Sequence, residues 1–124
     1  MNFGIGIDCV EISRFEPIGK KHRLLNKIFK KNEIKYCNSK SKPSQHFAVR
    51  FSAKESIIKA FSKFGKILNF KEIEIVNNSD NRPQAIVTNP NFNDFKAEIS
   101  LSHSNDFAIS VAIVTAKNSE SFRL

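Results

Sequence analysis

One stretch limits the folds open to this chain more than any other: H-F-A-V-R-F-S-A-K-E-S-I-I-K-A-F-S-K, from His46 to Lys63. It contains no Gly or Pro, and its apolar residues recur with a helical period. At about 100° per residue, Phe47, Phe51, Ile57, Ile58 and Phe61 share one broad apolar arc. Arg50 and Lys54 fall inside the same arc, where a charge needs a partner. Glu55 and Lys59 lie one turn apart, beside a strip of small residues, Ala48, Ser52 and Ser62. Such a helix buries one face and still offers a carboxylate and several cations to a ligand. That points to an anion or metal site.

The rest of the chain supplies what packs on this helix. Asn2 to Val10 reads as a strand, with Phe3, Ile5 and Ile7 on one face and Gly4, Gly6 and Asp8 on the other. Its G-x-G is not a dinucleotide fingerprint, because the third glycine and the helix pattern after it are missing. The glycines let another backbone or a ligand come close. Glu11 to Ile18 is predicted as a short helix capped by Ser13 and closed by Pro17 and Gly19. Leu24, Leu25, Ile28 and Phe29 form a short amphipathic segment, and Asn32 is predicted to cap a helix to about Asn38. Asn38 to Ser44 is a polar loop, and Gly65 ends the long helix.

The second half changes to period two. Strands are predicted at Glu72 to Val76, Gln84 to Thr88, Ala97 to His103 and Phe107 to Ala116, the last two joined as a hairpin. Asn89 to Phe95 reads as a short helix or irregular loop, and Lys117 to Leu124 as a frayed tail. Helices followed by an antiparallel sheet, with the first strand free to join it, make an α+β fold.

At 124 residues the chain is expected to form one domain spanning residues 1–124. Twelve Phe residues, with no Trp and one Tyr, predict a Phe-rich core. A net charge of +8 and a pI near 9.7 favour an acidic partner without choosing among nucleic acid, membrane surface, phosphorylated ligand and acidic protein. Cys9 and Cys37 lack metal or redox spacing and are expected to be inert core or half-buried thiols. No apolar run suits a signal peptide or a membrane span, so a cytoplasmic protein is the expectation.

Four side chains stand out chemically. Asp8 and Glu55 are candidate ligands for a hard cation, since Mg²⁺ is held by one or two carboxylates with waters and substrate phosphates. Lys59 can meet a phosphate oxygen, although Glu55 and Lys59 taken alone read first as a plain surface pair one turn apart. His103 ends a strand before a tight turn. Ser102 beside it points to the opposite face, which excludes a serine hydrolase pair. No zinc spacing, P-loop or G-x-S-x-G is present.

Together these pieces resemble holo-[acyl-carrier-protein] synthases, the small bacterial type of 4′-phosphopantetheinyl transferase. G-I-G-I-D-C-V-E-I-S-R-F is similar to that family's first motif, R-F-S-A-K-E-S-I-I-K-A to its central helix, and S-L-S-H-S-N-D-F-A-I-S-V-A-I-V to its C-terminal hairpin. Each motif is weak or moderate alone, and three in order are strong. The resemblance implies the 4′-phosphopantetheinyl transferase fold, an antiparallel sheet with a long central helix and short N-terminal helices. It implies transfer of the phosphopantetheine arm of coenzyme A to a serine of apo acyl carrier protein, releasing adenosine 3′,5′-bisphosphate, in support of fatty acid biosynthesis. It further implies homotrimers with active sites between subunits.

Carried over by motif, Asp8 and Glu55 would hold Mg²⁺ against the pyrophosphate, with Asp8, Glu55 and Lys59 as the catalytic set. Lys59 and His103 would contact phosphates, and Arg50 the nucleotide part of coenzyme A. Arg14, Lys20, Lys21 and Arg23 would face the acidic carrier protein. Asp8 or Glu55 can take the serine proton, and the residues do not choose between them.

Two positions depart from the family pattern. Asn81-Arg82-Pro83 stands where relatives tend to have Gly-x-Pro, and Val49 where a Gly is common. Asn tolerates the left-handed backbone region that Gly would supply. The alternative from another class is a small basic nucleic-acid-binding module, which the charge supports and the lack of a binding motif or interleaved exposed aromatics does not.

Overall fold

The computed structural model of the chain describes residues 2–117. The predicted tail lies outside them beyond Lys117. Three antiparallel strands form the main sheet in the order β1 (Phe3–Glu11), β5 (Phe107–Ala116), β4 (Phe95–His103). A hairpin of β2 (Ile73–Asn77) and β3 (Pro83–Val87) forms a second sheet beyond β4. The helices are α1 (His22–Ile28), α2 (Lys31–Asn38) and α3 (Pro43–Ser62), and α3 lies across β1 and β5.

Helix α3 begins three residues before the predicted start, because Pro43 occupies its first turn, where a missing N–H costs nothing. It is buried on nearly every side. Phe47, Phe51, Ile57 and Phe61 are 5% exposed or less, and each contributes about 1.5–3 kcal/mol by leaving water. The expected Phe core forms around them: Phe15, Phe29, Phe47 and Phe51 interlock near one end of α3, and Phe61, Phe92 and Phe95 near the other.

The seam between β1 and α3 explains the two glycines. A Cβ on Gly4 would lie 2.0 Å from the Ala60 carbonyl oxygen, and one on Gly6 1.9 Å from that of Ser56. Only glycine lets strand and helix backbones approach this closely. Ser52 adds polar contacts, donating to the Asp8 carbonyl at 3.2 Å and lying 2.8 Å from the Ser110 hydroxyl. The alternate face of β1 looks away from α3, and Ile5 and Ile7 there are 62% and 66% exposed.

Several local expectations need correction. Residues 11–18 do not form one helix but a 3-10 turn at Ile12–Phe15, separated by Pro17 from a second at Ile18–Lys20. Ser13 caps nothing; its hydroxyl reaches the Glu11 carboxylate at 3.5 Å. Asn32 is not the cap of α2. Lys30 stands there, and its N–H donates to Glu33 Oε1 at 2.9 Å, because Glu33 is drawn inward by other partners. Residues 89–95 contain a 3-10 turn at Pro90–Phe92. Cys37 is buried as expected, and burial pushes its thiol up to about 12, which keeps it unreactive. Cys9 is instead exposed, since it shares the outward face of β1 with Ile5 and Ile7. Among the described residues no helix is long and apolar enough to cross a membrane.

Candidate active site

Asp8, Glu55 and Lys59 come together where β1 crosses α3. Lys59 Nζ lies 3.2 Å from Asp8 Oδ1 and 3.0 Å from the carbonyl oxygen of Ile7, so the lysine bridges the strand's backbone and its carboxylate. The Asp8 side chain is 12% exposed, and its Oδ2 is buried without a hydrogen-bond partner among the described residues. Glu55 is half-buried nearby. Burial, then the Asp8 charge, pushes its carboxyl above the ordinary value, and Lys59 and Arg14 oppose the rise.

Two carboxylates crowded at a small-residue seam, one with an orphaned oxygen, form an arrangement that a cation relieves. The donor set is all oxygen, which suits a hard divalent ion. Among the described residues no third His, Cys, Asp or Glu joins them to form a closed metal cage. Such a site leaves coordination positions to water and to phosphate oxygens, the usual condition for Mg²⁺.

Arg50 and His103 belong to a second group, at the N-terminal end of α3. Along the helix axis, at about 1.5 Å per residue, Arg50 is roughly 7.5 Å from Glu55, and Gln45, which His103 touches, roughly 15 Å. The Arg50 guanidinium lies over the Tyr36 ring at 4.3 Å; the residue is 5% exposed, and its Nε has no partner among the described residues. It borders a small cavity of about 210 Å³, shared with Asn32, Tyr36, Glu74 and Asn77. His103 is exposed, and its Nδ1 lies 2.6 Å from the side-chain nitrogen of Gln45. His46 stands between these groups. Burial lowers its pKa, and the charges of Arg50, Lys40 and His103 lower it further.

The carrier-docking candidates are each exposed or half-exposed. Arg14 lies with its guanidinium 4.9 Å from the Phe51 ring centre, Lys20 and Lys21 follow, and Arg23 is on α1. A cleft of about 690 Å³ lies elsewhere. It runs between β3 and β4, lined by Arg82, Pro83, Phe95 and Ile99, and does not include Asp8, Glu55 or Lys59.

Residues 4–112 match the model of the 4′-phosphopantetheinyl transferase superfamily. The holo-[acyl-carrier-protein] synthase of Thermodesulfovibrio yellowstonii is 40% identical over 114 residues, covering 90% of this chain and 97% of that one. The chain belongs to the holo-[acyl-carrier-protein] synthase family. Among solved structures, the ACPS–CoA complex from Chronobacterium ammoniagenes superposes with a TM-score of 0.78 at 25% identity, covering 94% and 98% of the two chains. The Bacillus anthracis holo-(acyl-carrier-protein) synthase, in complex with CoA (3′,5′-ADP), gives 0.75 at 28%, covering 91% and 96%.

The fold expected from the resemblance is thus the fold observed. The family's loop departure has a clear outcome: Asn81 takes φ +61°, the left-handed conformation. Asn78 ties that loop by accepting from the N–H groups of Asp80 and Arg82. Sequence reasoning missed Tyr36 beneath Arg50 and Gln45 beside His103. Neither carries a pattern signal, since a lone Tyr reads as core and Gln45 lay in an assumed loop margin.

Proposed function

We propose that this protein transfers the 4′-phosphopantetheine arm of coenzyme A to a serine of apo acyl carrier protein, releasing adenosine 3′,5′-bisphosphate, in support of fatty acid biosynthesis. The observation that carries the reading is the convergence of Asp8, Glu55 and Lys59 at the β1–α3 seam, in a chain of this family. Relatives solved with coenzyme A support the donor, and the family's name supports the acceptor.

In this mechanism the serine oxygen bonds to the phosphorus that carries pantetheine, and the bond from that phosphorus to the bridging oxygen breaks. Negative charge grows on the departing phosphate, so fixed cations beside it lower the barrier. Lys59, held against Asp8 and the Ile7 carbonyl, would supply one. Asp8 and Glu55 would hold Mg²⁺, which when bound neutralises pyrophosphate charge. The serine proton goes to one of these two carboxylates. Arg50 and His103 bind nucleotide and phosphate oxygens away from the reacting centre.

The exposed apolar face of the main sheet supports self-association. Ile5, Ile7, Phe107, Ile109 and Ile113 stand together on β1 and β5, each at least 42% exposed. We infer that this face is covered in a homotrimer and that neighbouring copies complete each other's active sites. The separation of His103 from Glu55 within one chain fits that arrangement. The basic residues Arg14, Lys20, Lys21 and Arg23 fit an acidic carrier protein. We take residues 1–124 as one cytoplasmic domain.

The deciding experiment is mass spectrometry of apo acyl carrier protein after incubation with this protein, coenzyme A and Mg²⁺. Addition of one phosphopantetheine to the carrier is expected. Coenzyme A binding with no modification of any apo carrier would overturn the enzymatic reading, and metal-independent transfer would overturn the Mg²⁺ assignment. Sedimentation tests the trimer.

A further inference from the structure

We propose that Gln45 is a positioning residue for His103: its side-chain amide holds Nδ1 of the imidazole and fixes Nε2–H as the group that meets a phosphate oxygen of coenzyme A. The inference rests on the reading of His103 as a phosphate ligand given above. It adds to it a residue, a tautomer and a reason for the ring's orientation.

The geometry begins with the two backbones. Gln45 lies in the first turn of α3, where its N–H donates to the Lys42 carbonyl at 3.2 Å. His103 is the last residue of β4, in register with Ala108 of β5. The turn after it is tied down, because the N–H of Ser104 donates to the Phe107 carbonyl at 2.8 Å and the Ser104 hydroxyl accepts from the N–H groups of Asp106 and Phe107. Both side chains therefore leave from fixed points.

The contact itself joins the amide nitrogen of Gln45 to His103 Nδ1 at 2.6 Å. An amide nitrogen only donates, so Nδ1 must be the lone-pair acceptor. The ring proton then resides on Nε2. The Ser104 carbonyl oxygen, 3.4 Å from Nδ1, is too far to hold a competing proton there. A histidine nitrogen is defined by the hydrogen bond the other one makes. Here that bond turns an exposed ring, free to rotate and to exchange tautomers, into a fixed N–H donor. Arg50, Lys40 and His46 lie in the same part of the molecule.

The ring nitrogens report directly. Two-bond ¹H–¹⁵N spectra of the full-length protein should show His103 with a protonated Nε2 and a bare Nδ1. Gln45→Met keeps the length and removes the donor, so His103 should move to a mixture of tautomers. Gln45→Glu offers only acceptors, so the proton should shift to Nδ1. In both variants the Michaelis constant for coenzyme A should rise roughly 3- to 10-fold, the worth of one hydrogen bond, with kcat little changed. Unchanged ring shifts in Gln45→Met and Gln45→Glu overturn the inference by themselves. His103→Ala with wild-type coenzyme A affinity in calorimetry would instead overturn the underlying reading of His103.

Discussion

Lys54 and Lys59 stand little more than a turn apart on α3, and each ammonium lies against a carboxylate, Glu33 at 2.7 Å and Asp8 at 3.2 Å. The two pairs differ in what is left over. Lys54 is fully buried and spends its three donors on Glu33 Oε1 and the carbonyl oxygens of Ile28 and Phe70. Glu33 in turn accepts from the N–H groups of Lys30 and Ile75. That network closes on itself and ties α1, α2, α3 and β2 together. The Lys59 pair stays open: the lysine side chain is 52% exposed, Asp8 Oδ2 has no partner among the described residues, and Glu55 crowds both. A satisfied buried pair holds structure, whereas an unsatisfied half-buried one is available to a ligand.

The largest expected effect is on the closed pair. Lys54→Met leaves the Glu33 charge buried without its cation and should cost about 3–5 kcal/mol in denaturant unfolding. Lys54→Met with Glu33→Gln should recover part of that loss. If the single variant unfolds like the wild type, the pair is not structural and the contrast fails. Burial pushes the Lys54 pKa down while Glu33 opposes it, so a uniquely stable pair depends on that carboxylate.

The open pair should behave in reverse. Asp8→Asn removes an incompletely satisfied buried charge, so stability should hold or rise. Transfer of phosphopantetheine should fall about 10²–10³-fold, the usual cost of deleting one preorganised charged group. Calorimetric Mg²⁺ binding in the presence of coenzyme A should weaken in parallel. Loss of stability matching the loss of activity would place Asp8 with Lys54 as a structural residue.

The seam that creates the open pair is itself testable. Gly6→Ala puts a methyl against the Ser56 carbonyl, and no side-chain rotation relieves a clash with backbone. A loss of about 1–3 kcal/mol is expected, and the shift of β1 should also lower transfer. Gly19→Ala, where a Cβ meets open space, is the control.

The same contrast separates what the residues revealed from what they concealed. Gly4 and Gly6 announced a close approach, and alternation placed them and Asp8 on one face, so half of the site was legible locally. Lys54 was recognised as misplaced in an apolar arc, with a partner carboxylate as one explanation. Glu33 could not be named, because a pairing across tertiary space has no period in the sequence. The 3-10 turns around Pro17 were misread because their apolar spacing resembles a helical turn. Gln45 and Tyr36 were missed for the same reason as Glu33: their meaning lies in what packs against them. Family motifs supplied the roles of Arg50 and His103, which no wheel or alternation could give.

The smallest effect probes the second cationic group. His46 has a pKa below its ordinary 6.5 because of burial, followed by Arg50 on its own helix, Lys40 after α2 and His103 from β4, with Tyr36 packed edge-on at 6.2 Å. A base whose pKa falls on folding binds its proton more weakly in the folded state. Its contribution to stability is therefore complete above the unfolded value and declines as pH falls through that value to the lower folded one. An NMR titration of His46 should give a midpoint below 6.5. Arg50→Met should move that midpoint upward but not past 6.5, since burial, the larger cause, remains. Adding coenzyme A to the wild-type protein should raise it too, because bound phosphate offsets the same guanidinium. A midpoint indifferent to both changes would remove Arg50 from this electrostatic group and, with it, the case for a phosphate there.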